Sequence, residues 1–210
     1  MLKIKPNVSF GNTRAAFISQ TGAQDYLAKK GIVVVRADKY AKDWQQEEAK
    51  REVLRTAADK NARRDFASDF TELKYSFPKL YECLAKYLTV DDVVQPGKSI
   101  DDILAKERLL QCQISANQQL FMQALGSLQL NGVKYNFNDI RWIELNSFKY
   151  LVWGEYWLEG DGDLLLFEPT NDTMYYLGHG SKGIAPKKLG LSFKEFIEHD
   201  LVGFIIENES

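Results

Sequence analysis

The hydrophobic pattern changes period along the chain. From about residue 41 to 126 apolar positions recur at spacings of three and four, and from 128 to 178 they alternate or form short blocks. The first spacing puts side chains on one face of a helix and the second on one face of a strand. The pattern therefore predicts an α+β chain: a single domain over 1–210, with a helix-rich part at about 41–126 and a sheet-rich part at about 128–201. In the latter, a mainly antiparallel sheet packs against the helices.

In the first part, Ala49, Val53, Leu54, Ala57, Ala58, Ala62, Phe66, Phe70 and Leu73 trace one helical face. Opposite it, Lys50, Arg51, Arg55, Lys60, Arg63 and Arg64 alternate with Glu47, Glu48, Glu52 and Asp59 at ion-pairing spacings. Pro78 suits the first turn of a second helix, ending near Leu88, because its missing N–H would be unpaired there. Residues 91–97 read as an acidic Pro-Gly turn. Ser99 with Asp102 and Ser115 with Gln118 are helix-start signals, so 99–126 is one kinked helix or two, closed by Gly126. Upstream, residues 2–4 and 31–36 read as strands.

In the second part, the Asn131-Gly132 pair between short alternating segments is the strongest hairpin signal in the chain. Residues 140–145 read as a strand, and 150–157, 164–167 and 173–177 as three more, separated by turns rich in Gly, Asp, Pro and Asn. The block Leu164-Leu-Leu-Phe167 is short and uniformly apolar, as a strand covered on both faces would be. Strict alternation puts Tyr150, Val152, Gly154 and Tyr156 on one side and Leu151, Trp153, Glu155 and Trp157 on the other. Ser192 with Glu195 forms a capping box for a final helix whose apolar residues are Phe193, Phe196, Ile197 and Leu201.

Composition excludes several classes. With 45% hydrophobic and 27% charged residues the chain is that of an ordinary globular protein. No apolar run reaches the roughly 20 residues of a membrane span, and the Met1-Leu-Lys-Ile-Lys-Pro start lacks a signal-peptide core, so a cytoplasmic protein is expected. Cys83 and Cys112 fall in helical patterns and read as reduced thiols. Net charge is −2 but uneven. Residues 1–75 carry 15 Lys and Arg against 10 Asp and Glu; residues 76–210 carry 12 against 19. An acidic second half suits a basic partner or a plain solvated surface.

Catalytic chemistry is thinly supplied. His199 reads as the end of the last helix, where the dipole favours it. His179, between Gly178 and Gly180, could act as a base, yet no nucleophile motif accompanies it. Glu159, Asp161 and Asp163 superficially resemble a calcium loop but lack its Gly and distal Glu. No metal, cofactor or nucleotide site is expected, and the basic helical face is too diluted by acidic residues to predict nucleic-acid binding.

The order of aromatic strand, Gly-Asp turn, apolar strand, Tyr-Tyr-Leu-Gly-His strand (175–179), loop and Leu-Ser-Phe-Lys-Glu-Phe-Ile helix (191–197) resembles the C-terminal half of the SUKH superfamily. The segment Phe77-Pro-Lys-Leu-Tyr81 is similar to the family's Leu-Pro-x-x-Tyr helix, without the Asn-Gly that follows it there. The resemblance implies a non-enzymatic immunity protein that binds a cognate bacterial toxin, such as a basic nuclease, and covers its active site; an adaptor is the other role found in that superfamily. Contact is then expected at Glu155, Glu159, Asp161, Asp163 and Asp172, with Trp157 as an anchor. An enzyme using His179 is the third reading.

Overall fold

The computed structural model describes residues 2–4, 30, 34–160, 162–169, 172–180 and 185–209. They form an α+β structure and fall into two compact units, residues 1–57 and 58–210. That boundary lies inside a helix, well before the change of hydrophobic period.

In the first unit, β1 (Leu2–Ile4) pairs antiparallel with β2 (Val34–Arg36), with Leu2 opposite Arg36. Residues 31–33 of the expected strand lie outside the described residues. β2 runs directly into α1 (Ala37–Asp69). From Asp43 to Ala57 every residue of α1 is exposed, including Val53 at 69% and Leu54 at 70%. The expected apolar stripe is therefore not a buried face here. This stretch is rich in good helix formers, Ala, Glu, Lys, Arg and Gln, and gains a Lys50–Glu47 ion pair at 2.9 Å.

The second unit begins within α1, where burial starts: Phe66 and Phe70 stack at 4.8 Å. α2 (Thr71–Ser76) buries Leu73, and α3 (Pro78–Tyr87) opens on Pro78 as predicted and buries Leu80, Cys83 and Leu84. Residues 93–96, read from sequence as a turn, form an edge strand instead, β3 (Val93–Pro96). Pro96 is tolerated because an edge strand can leave one donor position unused. The segment 99–126 holds two helices. α4 (Ile100–Leu110) is capped by Ser99, which accepts from the Asp102 N–H, and it ends at Gln111 in the left-handed region (φ 53°). α5 (Ala116–Ala124) carries the full Ser115/Gln118 capping box. Gly126 does not close α5: it sits in β4 (Leu125–Leu130), where a Cβ would lie 2.3 Å from the Pro96 carbonyl oxygen. Its role is to let β3 approach.

β4 turns through Asn131-Gly132 into β5 (Val133–Asn136), as the Asn-Gly pair predicted, with Gly132 at φ 76°. After a short 3-10 turn (Phe137–Asp139), β6 (Arg141–Leu145) and β7 (Phe148–Tyr156) form a second hairpin. Here Asn146 and Ser147 both take positive φ, the geometry that matches strand twist in a two-residue turn. β8 (Leu164–Glu168), β9 (Thr173–Leu177) and β10 (Lys187–Ser192) complete an antiparallel eight-stranded sheet. Its order is β10-β9-β8-β7-β5-β4-β3, with β6 sharing the β5 edge of β7.

Helices cover one face. Phe121 meets Phe77, Phe193 and Tyr135 edge-on at 5.1–5.4 Å, and Tyr135 stacks on Trp153 at 4.7 Å. Each such aromatic buries 150–250 Å2 or so, which makes this the dominant cohesive cluster. Among the described residues, the other face carries a smaller cluster made of strand residues alone: Tyr150, Val152 and Leu166, with Ile143, Leu145, Leu164, Tyr175 and Leu177 half-buried around them. Strict alternation along β7 is corrected. The register with β8 slips between Val152 and Gly154, a bulge that reverses parity, so Trp153 and Tyr156 both reach the helix-covered core. Gly154 is required there, since a Cβ would lie 2.1 Å from the Lys134 carbonyl oxygen.

The C-terminal helix α6 starts at the predicted Ser192/Glu195 capping box. It runs through Phe193–Glu195 and a π-helical stretch (Phe196–Leu201) into Val202–Glu209. It extends beyond the expected end because Phe204 and Ile205 keep the apolar spacing; Phe204 packs on Tyr156 at 4.7 Å. His199 is therefore mid-helix and the dipole argument for it lapses; its ring lies 3.3 Å from the Lys79 ammonium.

Candidate functional site

The loop joining β7 to β8 is organised by Asp163, which is 1% exposed. Its carboxylate accepts from the backbone N–H groups of Glu159 (2.9 Å), Gly160 (2.8 Å) and His179 (2.6 Å), and from the Tyr176 hydroxyl in a short bond. Although burial opposes ionisation, the four donors hold the carboxyl below its ordinary value. Burial and the adjacent carboxylate push the Tyr176 phenol up in turn. Asp163 thus offers a partner no surface, which corrects its assignment as a contact residue. Sequence reasoning missed this tie; its signal is an acid closing a Gly-rich turn three and four residues after two free N–H groups.

The other expected contact residues separate. Glu155 accepts from Lys134 Nζ at 3.1 Å and from Trp157 Nε1 at 2.8 Å, while Lys134 also lies over the Trp157 ring at 4.7 Å. These three side chains form one charged and aromatic group. Glu159 stands exposed in the turn beside it. Asp161 lies outside the described residues. Asp172 is remote from this group: at φ 54° it accepts from the Ser115 hydroxyl at 2.5 Å, holding the start of α5 against the β8–β9 turn. The structure joins Glu155 and Trp157, puts Glu159 in the turn that follows them in the chain, and leaves Asp172 elsewhere.

His179 contributes its backbone N–H to Asp163 while its side chain is exposed. Cys83 and Cys112 are not joined in a disulfide; Cys83 is buried, and burial pushes the Cys112 thiol up, away from the reactive thiolate. No group of three or more potential metal ligands occurs among the described residues. No helix among them is long and apolar enough to cross a membrane.

Glu155 also belongs to the wall of a cleft of about 320 Å3, lined among others by Gln95, Ser127, Gln129, Asn136 and Arg141. Parity places these side chains on the same face as Val152 and Leu166. That face is therefore apolar around Ile143, Leu145, Val152, Leu166, Tyr175 and Leu177, and polar from Gln95 across Ser127 and Asn136 to Arg141 and Glu155. At its outer edge Phe148 is 66% exposed. An apolar centre beside a polar, hydrogen-bonding margin is the layout of a protein-binding surface.

The segments 77–87 and 191–201 meet in space. Phe77 lies 6.5 Å from Phe193, edge to face, and Glu198 on α6 accepts from the Lys79 N–H at 3.1 Å, capping the start of α3. Comparison with protein-family models, with curated proteins and with solved structures finds no match to this chain.

Proposed function

We infer that this protein acts by stoichiometric binding: an immunity protein that neutralises a cognate bacterial toxin in the cytoplasm, docking it on the strand-only face of the sheet. The observation that carries this reading is that face itself, with Ile143, Leu145, Tyr175 and Leu177 half-buried around a closed apolar centre and Phe148 exposed at the rim. Trp157, held by Glu155 and Lys134, supplies an ordered aromatic anchor at the other margin, with Glu159 beside it. The packing of 77–87 against 191–201 supports the SUKH-like ordering from which the toxin partner is inferred.

The test is co-purification from lysate and secreted fraction of the source cells, followed by assay of the recovered protein for toxicity. The reading expects one stoichiometric partner whose toxic activity disappears on mixing with this protein one to one. A partner without toxicity would instead support the adaptor role. Turnover of a substrate that is lost in His179→Ala would overturn binding as the primary function.

A further inference from the structure

Among the described residues, β3, β6 and β10 of the eight-stranded sheet each pair on one side only. An unpaired side presents a row of free N–H and C=O groups, a template for another extended chain, and proteins blunt such edges with Pro, Lys or a bulge. β3 carries Pro96 with a register shift beside it, and β10 carries Lys187, Lys188 and a register shift. β6 has none of these. From Arg141 to Leu145 it pairs with β7 in unbroken register.

The direction of the free groups follows from the turn. Asn146 and Ser147 both have positive φ, so this is a two-residue hairpin closed by Leu145 and Phe148, a pair that exchanges both of its hydrogen bonds. Pairs then alternate. Ile143 with Tyr150 and Arg141 with Val152 are bonded across the hairpin, while Trp142 and Glu144 turn their backbone N–H and C=O away from β7. Among the described residues nothing bonds to those outward groups. Side chains hold the strand in place: the Trp142 indole donates to the Leu110 carbonyl at 2.8 Å, and Arg141 to the Asp139 carbonyl at 3.2 Å.

A second β6 fits this edge. Only one antiparallel register lets Trp142 and Glu144 of one copy meet Glu144 and Trp142 of another, with both bonds made at each pair about a two-fold axis. That register sets Ile143 against Ile143 of the second copy, Arg141 beside Leu145 and Glu144 beside Trp142, so no like charges face each other. Sliding one strand by two residues sets Glu144 against Glu144, or Trp142 against Trp142, and loses half of the bonds.

We propose that two copies of this chain pair through β6 into one continuous antiparallel sheet, their strand-only faces side by side. This goes beyond the toxin-binding reading and does not rest on it.

The test is sedimentation equilibrium of the full chain from about 1 µM to about 1 mM, with far-UV circular dichroism on each variant. The mass should climb from 24.1 kDa toward twice that value. Glu144→Pro removes an outward N–H that β7 does not use, so it should keep the native spectrum. It should weaken association by about thirtyfold or more, since each copy loses one bond. A second measurement does not depend on Pro being tolerated. Opposed residues that share no hydrogen bonds stand about 4.5 Å apart at Cα, within reach of a disulfide. In a Cys112→Ser background, Ile143→Cys treated with diamide should therefore form a covalent dimer about tenfold faster or more than Phe148→Cys, which is more exposed but lies one strand further from the axis. The proposal is overturned if the mass stays at that of one chain up to about 1 mM, if folded Glu144→Pro associates as tightly as the native chain, or if Ile143→Cys links no faster than Phe148→Cys.

Discussion

Leu165, Phe167, Met174 and Tyr176 point from β8 and β9 into a core closed by helices, whereas Leu166 and Tyr175 between them point the other way into a cluster built of strands alone. Both faces bury apolar surface, but only one joins distant parts of the chain. The first face gathers Phe77 from the junction of α2 and α3, Phe121 of α5 and Phe193 of α6 with Tyr135 and Trp153 of the sheet. Substitution there should cost stability, and on the strand-only face it should cost binding.

The largest expected effect is at Trp153. Replacing this buried side chain with Ala should lower unfolding free energy by about 3–5 kcal/mol, read from urea denaturation. A loss near that of a surface substitution would break the distinction between the faces. Next is Asp163→Ala, which strands four donors and should cost on the order of 3 kcal/mol.

Asp163 also fixes a pH dependence. Its folded pKa is lowered below the ordinary 3.8, so its contribution is full above the unfolded value and is lost as pH falls through the folded one. Thermal melts of the native chain should therefore drop more steeply below about pH 4 than those of Asp163→Asn. Parallel acid limbs would show that these four donors do not hold the Asp163 carboxylate in its ionised form. Gly154→Ala, which drives a Cβ into the Lys134 carbonyl, should cost roughly 1–3 kcal/mol and disturb the bulge that sends Trp153 and Tyr156 inward. Smallest is Val53→Ser on the exposed part of α1, expected to stay within about 0.5 kcal/mol.

The legible parts of the fold were those set by local chemistry. The Ser99, Ser115 and Ser192 caps, Pro78 at the first turn of α3 and the Asn131-Gly132 hairpin each need only a few adjacent residues, and each appears where the sequence puts it. What was not legible depends on partners far along the chain. β3 is a strand because β4 lies beside it, not because Val93-Val-Gln-Pro96 resembles one. The bulge in β7 reverses side-chain parity through its register with β8, which alternation within one strand cannot show. Along α1 the stripe predicted burial, but spacing specifies a face and not a neighbour.

The candidate site followed the same division. Glu155 and Trp157 are close in sequence and hydrogen-bonded in space. Asp163 has the same sequence neighbourhood, yet Tyr176 and His179 from the far side of β9 draw it inward. The cleft draws its lining from six strands and the turn before β6, so no single segment announced it.

The most direct test of the central claim is a binding titration of the partner recovered by co-purification against the native chain and two variants, Phe148→Asp with Ile143→Asp on the strand-only face, and Trp44→Ser on α1. The account predicts that the first variant keeps a native fold and raises Kd by about thirtyfold or more, the factor for roughly 2 kcal/mol, while the second binds as the native chain does. Undiminished binding by the folded double variant would place the partner elsewhere and contradict the account.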